Sequence, residues 1–300
     1  MEVSSIPVID LQDFPSQSQK LIEACEEWGC FRIINHNIPI NLMSEMKRVV
    51  RSLFDLPIEI KRRNTDAVAG SGYVAPTKIN PLYEALGLYD IGSNEAVQNF
   101  CTQLDASPQQ RETILRYAKA IHELAMDIGC KLGQSMGLGS DLLRGWSCQF
   151  RINKYNFTPE TVGQSGVQIH TDSGFLTILQ EDEDVCGLEV MEKISGEFIE
   201  VYPLPGTLLV NLGDVSKVWS NGRFCNVKHR VQCKEATIRV SIAMFVLGPK
   251  EGGVEAPPEL VDSDHPRLYA PLFFKDYRKL LLSTGMRDGE ALELLRTTNA

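Results

Sequence analysis

Near Trp146 the hydrophobic period of this chain changes from 3.6 residues to 2, and no other feature constrains its fold as strongly. Short β-rich runs follow near 148–157, 167–171, 175–180, 187–191, 207–211, 226–232 and 237–247, separated by Gly, Pro and acidic turns. Helical patterns do not alternate with these runs. They therefore argue for an antiparallel sandwich or barrel rather than a doubly wound parallel sheet.

What precedes Trp146 reads as mostly helical. Ile6–Asp10 and Cys30–Ile34 are two short strands, and the helical spacing from Leu21 to Trp28 between them stops at Gly29. Ile40, Met43, Met46, Val49, Val50 and Leu53 share one helical face, and Pro57 opens a short charged helix. Ser107-Pro108 starts the longest helix, whose buried stripe runs from Ile114 through Ile121 and Ile128 to Leu132 before Gly133. Between Gly70 and Gly92 the composition is that of a long irregular loop, which compact domains keep mainly for function. The expectation is a single domain over 1–300. It comprises a helix-rich wrapper with two short strands (1–145), a catalytic β core (146–250) and C-terminal loop and helices (251–300).

His170-Thr171-Asp172 is the most informative triplet. On an extended segment, side chains two residues apart leave the same face, so both can reach one metal ion. A third ligand must come from elsewhere, and His229 sits in a plausible strand, Asn226–Val231, expected on the facing sheet. Two imidazoles and one carboxylate leave part of the coordination sphere open, the arrangement of non-haem Fe(II) oxygenases.

Further polar residues share strand faces. Alternation along the last long strand groups Arg239, Ser241, Ala243 and Phe245 against Val240, Ile242 and Met244. A guanidinium pointing into a barrel needs an anion, either one of the chain's own acids or the far carboxylate of a dicarboxylic acid that chelates iron through its other end. Arg151, Asn153 and Tyr155 likewise share a face, which suggests a lined cavity. Arg151 is the candidate anchor for a substrate carboxylate. Phe245, Tyr73, Leu82 and Tyr83 are candidates for the apolar walls.

Lys plus Arg number 30 against 39 Asp plus Glu, a formal charge of −9 that repels nucleic acid. No run is apolar enough to span a membrane, and the Met1–Ser5 start lacks a secretory pattern, so a cytosolic protein is expected. The 8 cysteines are scattered without a C-x-x-C pair and read as thiols. The glycosylation pattern at Asn156-Phe157-Thr158 is set aside with them, for want of a secretory route.

Taken together, these residues resemble the plant 2-oxoglutarate- and Fe(II)-dependent dioxygenases. His170-x-Asp172 with His229 looks like the family's iron triad, Arg239-x-Ser241 like its 2-oxoglutarate carboxylate pair, and Asn153-x-Tyr155 like further cosubstrate positions. Gly29-Cys30-Phe31, Asn211-Leu212-Gly213-Asp214 and Trp219-Ser220-Asn221-Gly222 are similar to other family landmarks. The resemblance implies a mixed α and β chain with a double-stranded β-helix, or jelly-roll, core wrapped by N-terminal and C-terminal helices. It also implies Fe(II), with 2-oxoglutarate and O2 as cosubstrates and ascorbate as reductant. Arg63–Asp66, Asn80–Glu84, Gln149–Tyr155 and Cys225–Thr237 are similar to the auxin-oxidising branch of that family. That branch implies indole-3-acetic acid as substrate and 2-oxindole-3-acetic acid, succinate and CO2 as products. A gibberellin, a flavonoid or another plant metabolite is the alternative substrate. Cys186 stands where the family typically has glycine and marks a candidate contact with a second copy.

Two remote readings compete. Gly133-Gln134-Ser135-Met136-Gly137 matches the nucleophile elbow of an α/β-hydrolase, with Asp172 and His229 following in triad order. That elbow requires strand, turn and helix, whereas Ser135 ends a helix. A jelly-roll module that holds a small acid without turning it over is the other. His36, His122 and His265 read as structural.

Overall fold

The structure, a computed structural model, describes residues 6–78 and 80–297. The Met1–Ser5 start, on which the expectation of no secretory pattern rests, lies outside the described residues. The chain runs β1 (Val8–Asp10), α1 (Ser18–Glu23), β2 (Cys30–Ile34), α2 (Ile40–Phe54), α3 (Ile58–Lys61) and β3 (Tyr83–Tyr89). It continues through α4 (Asn94–Gln103), α5 (Pro108–Ser135), β4 (Trp146–Asn156), β5 (Ser165–His170), β6 (Leu176–Gln180), β7 (Leu188–Met191) and β8 (Phe198–Glu200). The remainder is β9 (Leu208–Leu212), α6 (Asp214–Trp219), β10 (His229–Gln232), β11 (Ile238–Pro249) and α7 (Phe274–Thr284).

Two sheets form a jelly roll. The larger has seven strands in the order β1-β2-β9-β6-β11-β4-β3, and the smaller has four in the order β5-β10-β7-β8. Pairing is antiparallel throughout except between β1 and β2.

The large sheet is covered on both faces, and the alternation of β11 explains how. Val240, Ile242, Met244 and Val246 pack into the main apolar core with Phe150 and Ile152 of β4 and the buried stripes of α2 and α5. Arg239, Ser241, Ala243 and Phe245 face the interior of the roll instead. A smaller apolar cluster between the sheets, including Tyr155, Leu188, Leu209 and Val231, closes that interior. The helix that backs the sheet is well started. Pro108 occupies its first turn, the Ser107 hydroxyl accepts from the Gln110 N–H, and the Gln110 side chain accepts from the Ser107 N–H.

Three features depart from the sequence reading. The stretch 70–92 is not all loop, because β3 pairs with β4 from Tyr83↔Tyr155 to Tyr89↔Gln149. Both its faces are covered, so the period-2 signal is lost. Glu84 within it is buried against Lys61 at 2.7 Å. Short β8 pairs with β7 and also escaped the pattern. Finally, His229 is not on the sheet facing His170: β5 and β10 are adjacent strands of the same small sheet.

Gly29 shows why the N-terminal helical run stops where it does. Its φ is +63°, and a Cβ there would lie 2.0 Å from the Cys225 carbonyl oxygen. Gly29→Ala combines left-handed strain with a backbone clash and should cost roughly 2–4 kcal/mol, read as a lower urea midpoint at unchanged m-value. An unchanged midpoint would reject this account of the turn.

Candidate metal centre and its cavity

His170 and His229 are direct cross-strand partners at the end of β5 and the start of β10. Their ring centroids are 4.1 Å apart. Asp172 follows two residues later, in the segment leading to β6, and its Oδ1 lies 3.9 Å from His170 Nε2 and 3.8 Å from His229 Nε2. One ligand atom from each of the three falls within 4.8 Å of the others. Among the described residues this is the one His/Cys/Asp/Glu group of three or more that could hold a metal ion.

The backbone orients every member. Each histidine donates Nδ1–H to a carbonyl two residues back, His170 to Gln168 at 2.9 Å and His229 to Val227 at 3.2 Å. That fixes the tautomer and leaves both Nε2 lone pairs facing Asp172. Thr177 Oγ1 donates to Asp172 Oδ2 at 2.5 Å, leaving Oδ1 to face the imidazoles. Asp214 N–H bonds the Asp172 carbonyl at 2.8 Å, in a turn where a Cβ on Gly213 would lie 2.4 Å from that same oxygen. Burial first, and then the neighbouring His229, push the His170 pKa down to about 4, so its imidazole is neutral at pH 7. Two imidazoles and a carboxylate suit a divalent ion such as Fe(II), and three donors leave coordination positions open.

The triad lies between two connecting chambers. The inner, of about 270 Å³, is walled by β4, β6, β9 and β11, and an outer one of about 540 Å³ opens toward α7. His170, Asp172, Arg151, Val167, Phe245 and Arg287 line both. Arg239 lies in the inner chamber, 2% exposed, and its Nε has no hydrogen-bond partner. Among the described residues no carboxylate lies within ion-pair distance of it. Glu181 feels its charge but pairs with Arg32 at 2.7 Å, and Asp182 pairs with Arg51. A buried guanidinium in that position awaits an external anion.

The groups around Arg239 are poised to receive one. Asn153 Nδ2 donates to Ser241 Oγ at 3.2 Å, and Tyr83 donates its hydroxyl to Asn153 Oδ1 at 2.8 Å. The Tyr155 ring centroid lies 5.2 Å from the Arg239 guanidinium carbon, and burial pushes its phenol up to about 12, which keeps it a neutral donor.

The sequence candidates thus separate. Asn153, Tyr155, Arg239, Ser241, Arg151, Phe245 and Tyr83 line the inner chamber with the triad. Tyr73 and Leu82 do not. Tyr73 turns away to bond Glu84 at 2.7 Å beside Lys61, and Leu82 is buried in the apolar cluster between the sheets. Ser135 ends α5, away from both chambers, so no hydrolase triad forms. Cys186 is half-buried in the turn before β7. Thr177 escaped the sequence reading, and Asn211, whose buried Oδ1 is unpartnered, was read there as a landmark and not as a cavity residue. Arg278 and Arg287 escaped it too, because the course of the C-terminal segment carries no periodic signal.

Comparison with known proteins agrees with this geometry. Residues 146–248 match the 2OG-Fe(II) oxygenase superfamily, and residues 6–99 match the non-haem dioxygenase in morphine synthesis N-terminal family. The chain is 54% identical over 295 residues to the 2-oxoglutarate-dependent dioxygenase DAO of Oryza sativa, covering 97% of this chain and 98% of that one. The crystal structure of the rice dioxygenase for auxin oxidation superposes with a TM-score of 0.92 at 53% identity, over 98% of this chain and 100% of that one. A 2-oxoglutarate complex of dioxygenase for auxin oxidation 1 from Arabidopsis thaliana gives 0.86 at 59% identity, over 88% and 100%. A relative matched along nearly its whole length at this identity places the chain in the 2OG-Fe(II) oxygenase superfamily, as an oxygenase that uses iron and 2-oxoglutarate.

Proposed function

We propose that this enzyme oxidises indole-3-acetic acid to 2-oxindole-3-acetic acid. In each turnover 2-oxoglutarate and O2 are consumed, succinate and CO2 are released, and one oxygen atom enters the indole. Full-length similarity to the auxin-oxidising enzyme of rice is the observation that carries the substrate assignment.

His170, Asp172 and His229 hold the metal, and bound Fe(II) supplies O2 activation and the oxidative decarboxylation of 2-oxoglutarate. Arg239 and Ser241 take the far carboxylate of 2-oxoglutarate, with Tyr155 and Asn153 donating beside it. The unpaired state of Arg239 makes that binding favourable, since the dianion replaces water that burial has already removed. Arg151 anchors the substrate carboxylate, and Phe245 and Tyr83 contribute aromatic wall near the metal. The inter-sheet cluster bounds the inner chamber on one side. The reading includes ascorbate as reductant and a cytosolic location.

Three measurements bear on it. With Fe(II), 2-oxoglutarate and ascorbate, product mass should rise by one oxygen atom for indole-3-acetic acid, and gibberellins and flavanones should remain unaltered. Thr177→Val removes the hydrogen bond that orients Asp172 and should weaken metal affinity by about 10–100-fold in a metal titration, with the fold intact. Arg239→Lys keeps the charge but loses the fork, so the apparent affinity for 2-oxoglutarate should fall on the order of tenfold while the KM for the indole acid changes little. Equal effects on both substrates would remove Arg239 from its assigned place.

A further inference from the structure

The outer chamber is strongly basic for so acidic a protein. Arg151, Arg278 and Arg287 line it, and Asp172, which belongs to the metal group, is the one carboxylate among the residues lining either chamber. None of the three arginines forms an ion pair among the described residues. Two of them converge on one turn. Arg278 of α7 donates Nε and Nη2 to the Ala69 carbonyl at 3.0 and 2.5 Å, and Arg151 of β4 donates Nη2 to the adjacent Gly70 carbonyl.

That arrangement is electrostatically incomplete. Burial first, and then the charge of the neighbouring Arg151, hold the Arg278 pKa below its ordinary value. The nearest compensation, Asp66, attracts Arg278 from a distance, but its two carboxylate oxygens accept from Gly72 N–H at 2.6 Å and Gly70 N–H at 2.7 Å. Carbonyl dipoles satisfy hydrogen bonds without neutralising charge. A carboxylate lying between the guanidiniums would do both, through charge-assisted bonds of the kind arginine forks favour.

The body of such a ligand is also provided for. One turn beyond Arg278, Leu281 and Leu282 of α7 line the same chamber, and Met286, Val74 and Phe245 complete an apolar wall that leads to the triad. Position is maintained from below, because Tyr277, the residue before Arg278, donates its hydroxyl to buried Asp214 at 2.7 Å. Asp214 in turn bonds the Asp172 carbonyl, so α7 and the metal group share one support.

We propose that Arg278 is a substrate-recognition residue: with Arg151 it clamps the carboxylate of an aromatic or similarly apolar acid at the cavity mouth, which points the apolar end of that acid at the metal. This deepens the function proposed above and rests on it. Each fork is partly engaged by the turn, Arg151 by Gly70 and Arg278 by Ala69, so the two together offer a carboxylate what neither offers alone. The clamp also ties the turn at 69–70 to occupancy of the mouth, since the same donors serve both.

The test uses full-length enzyme with Fe(II) and 2-oxoglutarate, and compares Arg278→Gln and Arg278→Lys with the unaltered protein. Indole-3-acetic acid and its uncharged amide are the probes. Anaerobic calorimetry gives each Kd, and turnover in air gives kcat. For Arg278→Gln the acid should bind about thirtyfold more weakly, the scale of a lost hydrogen bond to a charged group, while the affinities for the amide and for the cosubstrate stay within a factor of about two. Arg278→Lys should recover part of the acid's affinity. A Kd for acid and amide that rises equally would overturn the clamp and leave Arg278 as a tether for the turn. If both variants keep the unaltered Kd for the acid while it is still oxidised, the clamp falls and the auxin reading stands. An unaltered enzyme that binds and oxidises neutral substrates in preference to the acid would overturn both.

Discussion

Pairing of β5 with β10 places His170 opposite His229 and so sets the position of the one candidate metal group among the described residues. A cross-strand pair brings two Cα atoms within about 5.5 Å regardless of their separation along the chain. Residues 59 positions apart thereby become neighbours, as the difference between 229 and 170 requires. Asp172 can join them only if the chain turns sharply after the strand, and that turn is fixed from outside by the Asp214 N–H and by close packing at Gly213. The metal group therefore depends on backbone hydrogen bonds more than on its own side chains.

The large sheet performs a second task by virtue of having two covered faces. Its outer residues bury against α2 and α5, and this burial stabilises the sheet enough to tolerate polar and charged residues on the inner face. Arg239 illustrates the balance. An isolated buried guanidinium is destabilising, and no acid of the chain relieves it among the described residues. On the proposed reading, binding of a dianionic cosubstrate beside Arg239 would relieve that cost. Strain or imbalance retained in the free protein and removed by its ligand is a common property of binding sites.

How much of this the sequence could disclose depended on how regular the local signal was. Alternation along β11 separated Arg239 and Ser241 from Val240 and Ile242 correctly, because one face meets helices and the other a cavity. The same rule failed for β3, where both faces are buried and Glu84 is neutralised by Lys61. Tyr73 and Leu82 were assigned to the cavity wall on composition alone. Composition says that a loop is irregular but not which way its side chains turn, and these two turn to Glu84 and to the inter-sheet core. His170 and His229 were paired by type, yet their relation as neighbours in one sheet required a register that no single strand encodes. Arg278 and Arg287 were invisible for a similar reason: their place at the cavity comes from how α7 docks, through Tyr277 and Asp214, not from any pattern within α7.

Charge distribution links these parts. A chain with a net charge of −9 has acidic residues to spare, and it places them elsewhere: Glu181, Asp182 and Glu183 pair with Arg32, Arg51 and Lys47 on the rim of the roll. Inside, Arg239 lies beyond the metal group and Arg151, Arg278 and Arg287 lie before it, with Asp172 between them. Two cationic ends on either side of one metal group match a reaction with two anionic reactants that must not exchange places. The inner end is the smaller, which suits a short dicarboxylate, while the outer end is wider and walled by Leu281, Leu282, Met286 and Phe245, which suits an acid with an apolar body. Because an acid too bulky for the inner chamber can engage only the outer arginines, shape decides what charge alone would leave degenerate. On the proposed reading the two anions would be sorted by size, each delivering its reacting end to the same metal position from an opposite side.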